Sequence, residues 1–104
     1  MAKYVLAYTG GSMPDSPEEQ EKVLGDWMAW FGSLGDAIAD PGSPFGPAST
    51  ISPDGGVSDG GRSGLTGYSI VTADTLSDAL SKAKGCPVLA SGGSIEVYEA
   101  MPIG

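Results

Sequence analysis

The side chains with the clearest capacity for chemistry are one aspartate, one arginine and two tyrosines with a neighbouring serine. Asp36 follows Gly35 near the end of a helical pattern. A carboxylate there is a candidate general base if a pocket desolvates it and lifts its pKa toward neutrality. The same residue also reads as a helix-end carboxylate in water. Arg62 is the only arginine and stands among Gly60, Gly61, Ser63 and Gly64. A guanidinium beside free backbone N–H groups suits a carboxylate or phosphate. No Lys-Ser/Thr follows the last glycine, as a phosphate-binding Walker loop requires, and an exposed hairpin loop fits these residues too. Tyr8 and Tyr68 fall on predicted strands, where they can line a cleft and orient a ligand by stacking and hydrogen bonding. Packing at a subunit interface uses tyrosine in the same way. Ser69 is placed to line the same cleft, and with no base near it in sequence it is not read as a nucleophile.

Other chemistries find less support. Asp54 and Asp59 flank a glycine-rich turn but lack the spacing and closing Glu of an EF-hand loop, so they read as turn aspartates. Histidine is absent and there is a single cysteine, Cys86. That removes the commonest metal ligand and general base, and any Cys-based zinc site or intrachain disulfide. Lys82 and Lys84 lie near Cys86, but the end of a helix disfavours a thiolate, and Cys86 reads as structural. No metal and no cofactor are expected.

The elements that must position these residues belong to one domain, since 104 residues suffice for a single core. Thirteen Asp and Glu against five Lys and Arg give a net charge of −8. Without a basic run the chain is not expected to bind nucleic acid or an anionic membrane surface. No apolar run approaches the ~18 residues of a transmembrane helix, and the first residues read directly into a strand rather than a signal peptide. A cytoplasmic protein is the expectation.

Residues 3–8 read as a first strand whose two faces, Tyr4/Leu6/Tyr8 and Lys3/Val5/Ala7, are both largely apolar. Ser16-Pro17-Glu18-Glu19 is a helix start, with Ser16 as cap, Pro17 at the first helical position and Glu19 closing a capping box. From there Val23, Leu24, Trp27, Trp30, Phe31, Leu34 and Ile38 fall within an arc of about 120°, a core-facing stripe. The helix is placed at 17 to about 35. Alternating Pro and Gly exclude regular structure at 40–47, and a short second strand is placed at 48–51. Residues 65–72 are a third strand, in which Gly67 marks a bulge or a close approach. Thr75 and Asp78 start a second helix, Gly85 follows its last turn, and residues 94–100 alternate as a fourth strand. The order β-α-β-β-α-β is ferredoxin-like, an α+β fold with two helices on one face of a four-stranded antiparallel sheet. With strands one and three apolar on both faces, a second copy of the sheet is the simplest cover for the other side, which makes a homodimer.

Several segments carry a likeness to a known family. They are Tyr4-Val5-Leu6-Ala7-Tyr8, the stretch from Trp27 to Ile38 with Gly35-Asp36 inside it, and the Asp59-Gly60-Gly61 loop. Further on are Gly67-Tyr68-Ser69-Ile70 leading to Asp74-Thr75-Leu76, then Lys84-Gly85-Cys86-Pro87 and Gly92-Gly93-Ser94-Ile95-Glu96-Val97. The last two segments, at their mutual spacing, are the specific part. With these the chain resembles the YCII-related proteins, in particular the branch with DGPF-type features, over nearly its whole length. The resemblance implies a dimeric α+β barrel with a cleft between the sheets and the first helices. Some relatives are linked to dehydrochlorination of chlorinated hydroxyquinones, with a His–Asp pair as acid and base. Asp36 would match that aspartate, and the absence of histidine leaves the pair incomplete. The expected function is small-molecule binding in the cleft by a homodimer. The alternatives are a small acid/base enzyme using Asp36 on an aromatic or oxo substrate, and a structural module whose sheet face only dimerises.

Overall fold

Strand β1 (Ala2–Thr9) is followed by helix α1 (Pro17–Leu34), which a 3-10 turn at Gly35–Ala37 connects to β2 (Ile38–Pro44). This computed structural model describes residues 1–12 and 14–102. A hairpin of two short strands, β3 (Ser49–Ile51) and β4 (Val57–Asp59), precedes β5 (Leu65–Ala73). Helix α2 (Leu76–Ala83), a single helical turn α3 (Pro87–Ala90) and β6 (Ser94–Ala100) complete the chain. The main sheet has the order β2-β5-β1-β6, with every neighbour antiparallel. With the two longer helices this is an α+β architecture consistent with a ferredoxin-like fold.

The capping signals act as their residue types require. Ser16 Oγ accepts from the Glu19 N–H at 3.2 Å, and Pro17 occupies the first helical position. Replacing Ser16 with Ala is expected to cost about 1 kcal/mol, read as a lower melting temperature with the spectrum of the folded state unchanged. Thr75 Oγ1 accepts from the Asp78 N–H at 3.1 Å, and the Asp78 carboxylate pairs with Lys82 one turn on, at 2.8 Å. That pairing, with its hydrogen bond, holds the Asp78 carboxyl below its usual range.

Side chains alternate across the sheet as a strand period of two demands. One face carries Tyr4, Leu6 and Tyr8 from β1 with Ser69, Val71 and Ala73 from β5, all buried. The helices supply Trp30, Ala79, Ala83 and Val88 to the same core. Trp30 is tied down by its indole N–H, which donates to the Lys82 carbonyl at 3.1 Å. The opposite face carries Val5 and Ala7 beside Ile70, Tyr68 and Tyr98, and no helix among the described residues packs there. Tyr98 is 56% exposed. The molecule is a slab of 44 × 43 × 18 Å, the thickness of a sheet with one helical layer.

Three expectations fail in the segment after α1. Residues 40–47 are not excluded from regular structure, because β2 runs through Asp40-Pro41-Gly42-Ser43-Pro44. An edge strand tolerates proline, since half of its N–H groups need no partner. The tolerance shows as register shifts on both sides of Asp40. The segment at 49–51 is indeed a strand, but it pairs with β4 in a separate hairpin and is not part of the main sheet. Ile38 does not continue the helical stripe, because Gly35 takes a φ of 54° and ends α1 one turn earlier. Gly67 does mark a close approach: a Cβ there would stand 3.1 Å from the Ser43 carbonyl oxygen.

Candidate functional site

A cleft of about 280 Å3 opens between α1 and the β2–β5 edge of the sheet. The helix contributes Val23, Leu24, Trp27 and Phe31, and β2 contributes the Pro41–Pro44 segment as the facing wall. The amphipathic stripe of α1 builds its wall, because its outer residues extend past the edge of the core. Leu24, expected to face the core, is 60% exposed at the mouth. Trp27 stands edge-on to Tyr8 with ring centroids 5.4 Å apart, and Phe31 lies 5.8 Å from Trp27. These contacts fix the aromatic wall.

Tyr8 and Ser69 form the polar part of the inner wall. The Tyr8 hydroxyl donates to Ser69 Oγ at 2.8 Å, and Ser69 donates to the Pro41 carbonyl at 2.7 Å. The second bond satisfies the Pro41 carbonyl from a side chain and ties β2 to β5. Burial pushes the Tyr8 phenol far above its usual range; the neighbouring Cys86 adds to this, and the Ser69 bond partly offsets it. The folded state therefore holds the phenolic proton more tightly than the unfolded chain. Its contribution to stability is complete below the ordinary tyrosine pKa and is lost as the pH rises above it. In an alkaline absorbance titration Tyr8 is expected to ionise only as the protein unfolds, and Tyr8→Phe removes that coupled step.

Tyr68 also lines the cleft, and its ring stacks on Phe45 at 5.8 Å. Its hydroxyl donates to Asp40 Oδ2 at 3.0 Å, and that bond, with the carboxylate's charge, pushes the Tyr68 phenol up. The other Asp40 oxygen accepts from the Gly42 N–H at 2.9 Å, so the carboxylate braces β2 from both sides. Sequence reasoning passed over Asp40, since an aspartate before proline reads only as a turn residue. It also assigned Trp27 and Phe31 to the core, because helical periodicity marks an apolar face without showing whether a core or a cleft meets it.

The structure brings Tyr8 and Ser69 together on the inner wall, sets Tyr68 at the β2 edge with its hydroxyl on Asp40, and leaves two other candidates elsewhere. Asp36 sits exposed on the 3-10 turn and does not line the cleft. Arg62 is exposed beyond β4, where its N–H donates to Thr50 Oγ1 at 3.3 Å. Asp54 caps its own turn by accepting from the Gly56 N–H at 2.8 Å. Cys86 is buried beside Tyr8, and burial pushes its thiol up, so it is held as the unreactive protonated form. Among the described residues no group of three or more His, Cys, Asp or Glu is placed to hold a metal ion. No helix among them is long and apolar enough to cross a membrane.

No known protein-family model matches the chain, and no curated protein matches it either.

Proposed function

We propose that the chain is a cytoplasmic, YCII-related homodimer that binds a small molecule in the cleft between α1 and the β2–β5 edge. The observation that carries this reading is the cleft itself. It is concave and mostly apolar, and its polar groups are held in place by other protein atoms, as small-molecule sites are. Asp36 stands outside it, which favours binding over proton transfer by that residue. Leu24 gives a direct test, because it is exposed at the mouth and a larger side chain there need not disturb the core. In a thermal-shift screen of small aromatic and oxo compounds, a true ligand raises the melting temperature of the native chain by mass action. Leu24→Trp should keep the unliganded melting temperature and abolish the shift. Hits that persist in that variant would place binding elsewhere and contradict the reading.

Dimerisation is supported by the uncovered sheet face. Val5, Ala7 and Ile70 form an apolar strip there, flanked by Tyr68 and Tyr98. Lys3 stands at one end of that face and Glu96 toward the other, opposite Ala7. A two-fold axis across the strands at the level of Val5 would set each Lys3 against the partner's Glu96, so the face is complementary to itself.

A further inference from the structure

The size, charge and hydrogen bonding of the cleft together restrict what it can hold. None of the described residues lining it carries a formal charge, in a chain whose net charge is −8. The only arginine lies on the far hairpin loop and supplies no counter-charge. A carboxylate or phosphate entering the cleft would lose its water and find no cation, which is costly. A cation would find no carboxylate among the described lining residues to replace its water.

The inner polar pair adds a direction. A hydroxyl has one proton to give. Tyr8 gives its proton to Ser69, and Ser69 gives its own to the Pro41 carbonyl. Both protons are committed and Ser69 is fully buried, so toward an incoming group the pair offers only the lone pairs of the Tyr8 hydroxyl. Donating to a ligand would require Tyr8 to give up its buried bond to Ser69, or Ser69 to give up the bond that ties β2 to β5. At the mouth Gln20 commits one of its two amide N–H groups to the Pro14 carbonyl and Thr66 its hydroxyl to the carbonyls of Tyr8 and Gly10; the donors left over, the second Gln20 N–H and the Ser43 hydroxyl, belong to exposed residues and not to the inner pair. The pair therefore welcomes an N–H or O–H and refuses an acceptor-only group. For size, an apolar protein cavity of about 150 Å3 holds one benzene. A cleft of about 280 Å3 has room for a second fused ring.

We infer that this cleft selects an uncharged, flat, two-ring apolar molecule whose polar group is a hydrogen-bond donor, and that it rejects organic anions. The inference rests on the cleft being a binding site and names the chemical class that site would take. The probes are 2-naphthol, naphthalene, 2-naphthoate and 2-naphthylmethylammonium, titrated near neutral pH against the intact chain by tryptophan fluorescence and by melting temperature. The expected order is 2-naphthol first, naphthalene weaker, and both ions weaker than 2-naphthol by about tenfold or more. Tyr8→Phe should bring 2-naphthol down to the affinity of naphthalene and leave naphthalene itself unchanged. Leu24→Trp should abolish binding of all four. If either ion binds as tightly as 2-naphthol through the cleft, the selectivity inference is overturned while the cleft survives as a site. If no probe binds, or if Leu24→Trp binds them as the native chain does, the binding reading falls as well.

Discussion

Gly42→Ala is expected to detach β2 from β5 and to destabilise the chain by about 2–5 kcal/mol, combining left-handed strain with overpacking. Gly42 has a φ of 74°, which an L side chain adopts only under strain. A Cβ there would also overlap the Tyr68 carbonyl, which is backbone and cannot swing aside. The strand has little to resist with. It is an edge strand with register shifts on both sides of Asp40, tied to β5 by the Ser69–Pro41 and Tyr68–Asp40 side-chain bonds. For a domain of ordinary stability the loss is a large share of the total. Denaturant unfolding measures it, and amide exchange should show β2 opening before β1 and β5. A variant as stable as the native chain would mean that β2 does not lie against β5 in the way described. Because Pro41 to Pro44 wall the cleft, any ligand should lose affinity in the same variant.

The second large effect concerns the open sheet face. Ile70→Glu is expected to convert the proposed dimer to monomers, raising its dissociation constant by about a thousandfold or more. An unpaired charge in a closed interface costs several kcal/mol, and a two-fold axis introduces it twice. Ile70 is partly buried and lies opposite Val5, away from the core that holds Leu6 and Val71, so the monomer should remain folded. The charge arrangement makes a finer test of orientation. Lys3→Glu and Glu96→Lys should each weaken the dimer, and the double exchange should restore most of the loss. Sedimentation equilibrium reads all four chains. A native chain that stays monomeric at micromolar concentration would remove the dimer from the account. No loss in either single variant, or losses that the double exchange does not restore, would leave the dimer and remove the proposed axis.

How much of this was legible in the sequence depends on how local the signal is. Helix α1 begins where Ser16 and Pro17 say it must, because a cap is a matter of three consecutive residues. Strand β1 declares itself by its run of β-forming residues and β6 by alternation. The register shift that places Asp40 opposite Ile70 has no such local sign, and the Pro/Gly pattern that usually ends a strand here describes its exposed edge. Within the candidate site, Tyr8 and Ser69 were legible because strand periodicity assigns faces, and Leu6 opposite Ser69 confirms that the two strands share a core side. The placement of Asp36 and Arg62 was not legible. Each sits in a turn or loop whose direction depends on the backbone around it, and residue type and spacing say nothing about that direction. Asp40 escaped notice for a related reason, since its partner Tyr68 is 28 residues away and is reached only across the sheet.

The central claim is that the space between α1 and the β2–β5 edge is where a small molecule binds. The chain has two tryptophans, and they sort the possibilities by position: Trp27 lines this cleft and Trp30 lies in the core behind it, facing the separate groove toward α3. Their indole N–H signals can be followed individually in a 15N-labelled protein as 2-naphthol is added. The account predicts a saturable shift of the Trp27 signal, together with the amides of Gly42 and Gly67, while Trp30 and the open-face residues Val5 and Tyr98 stay in place. Shifts confined to Trp30 or to the open face, or no shift at all at a saturating concentration, would contradict it.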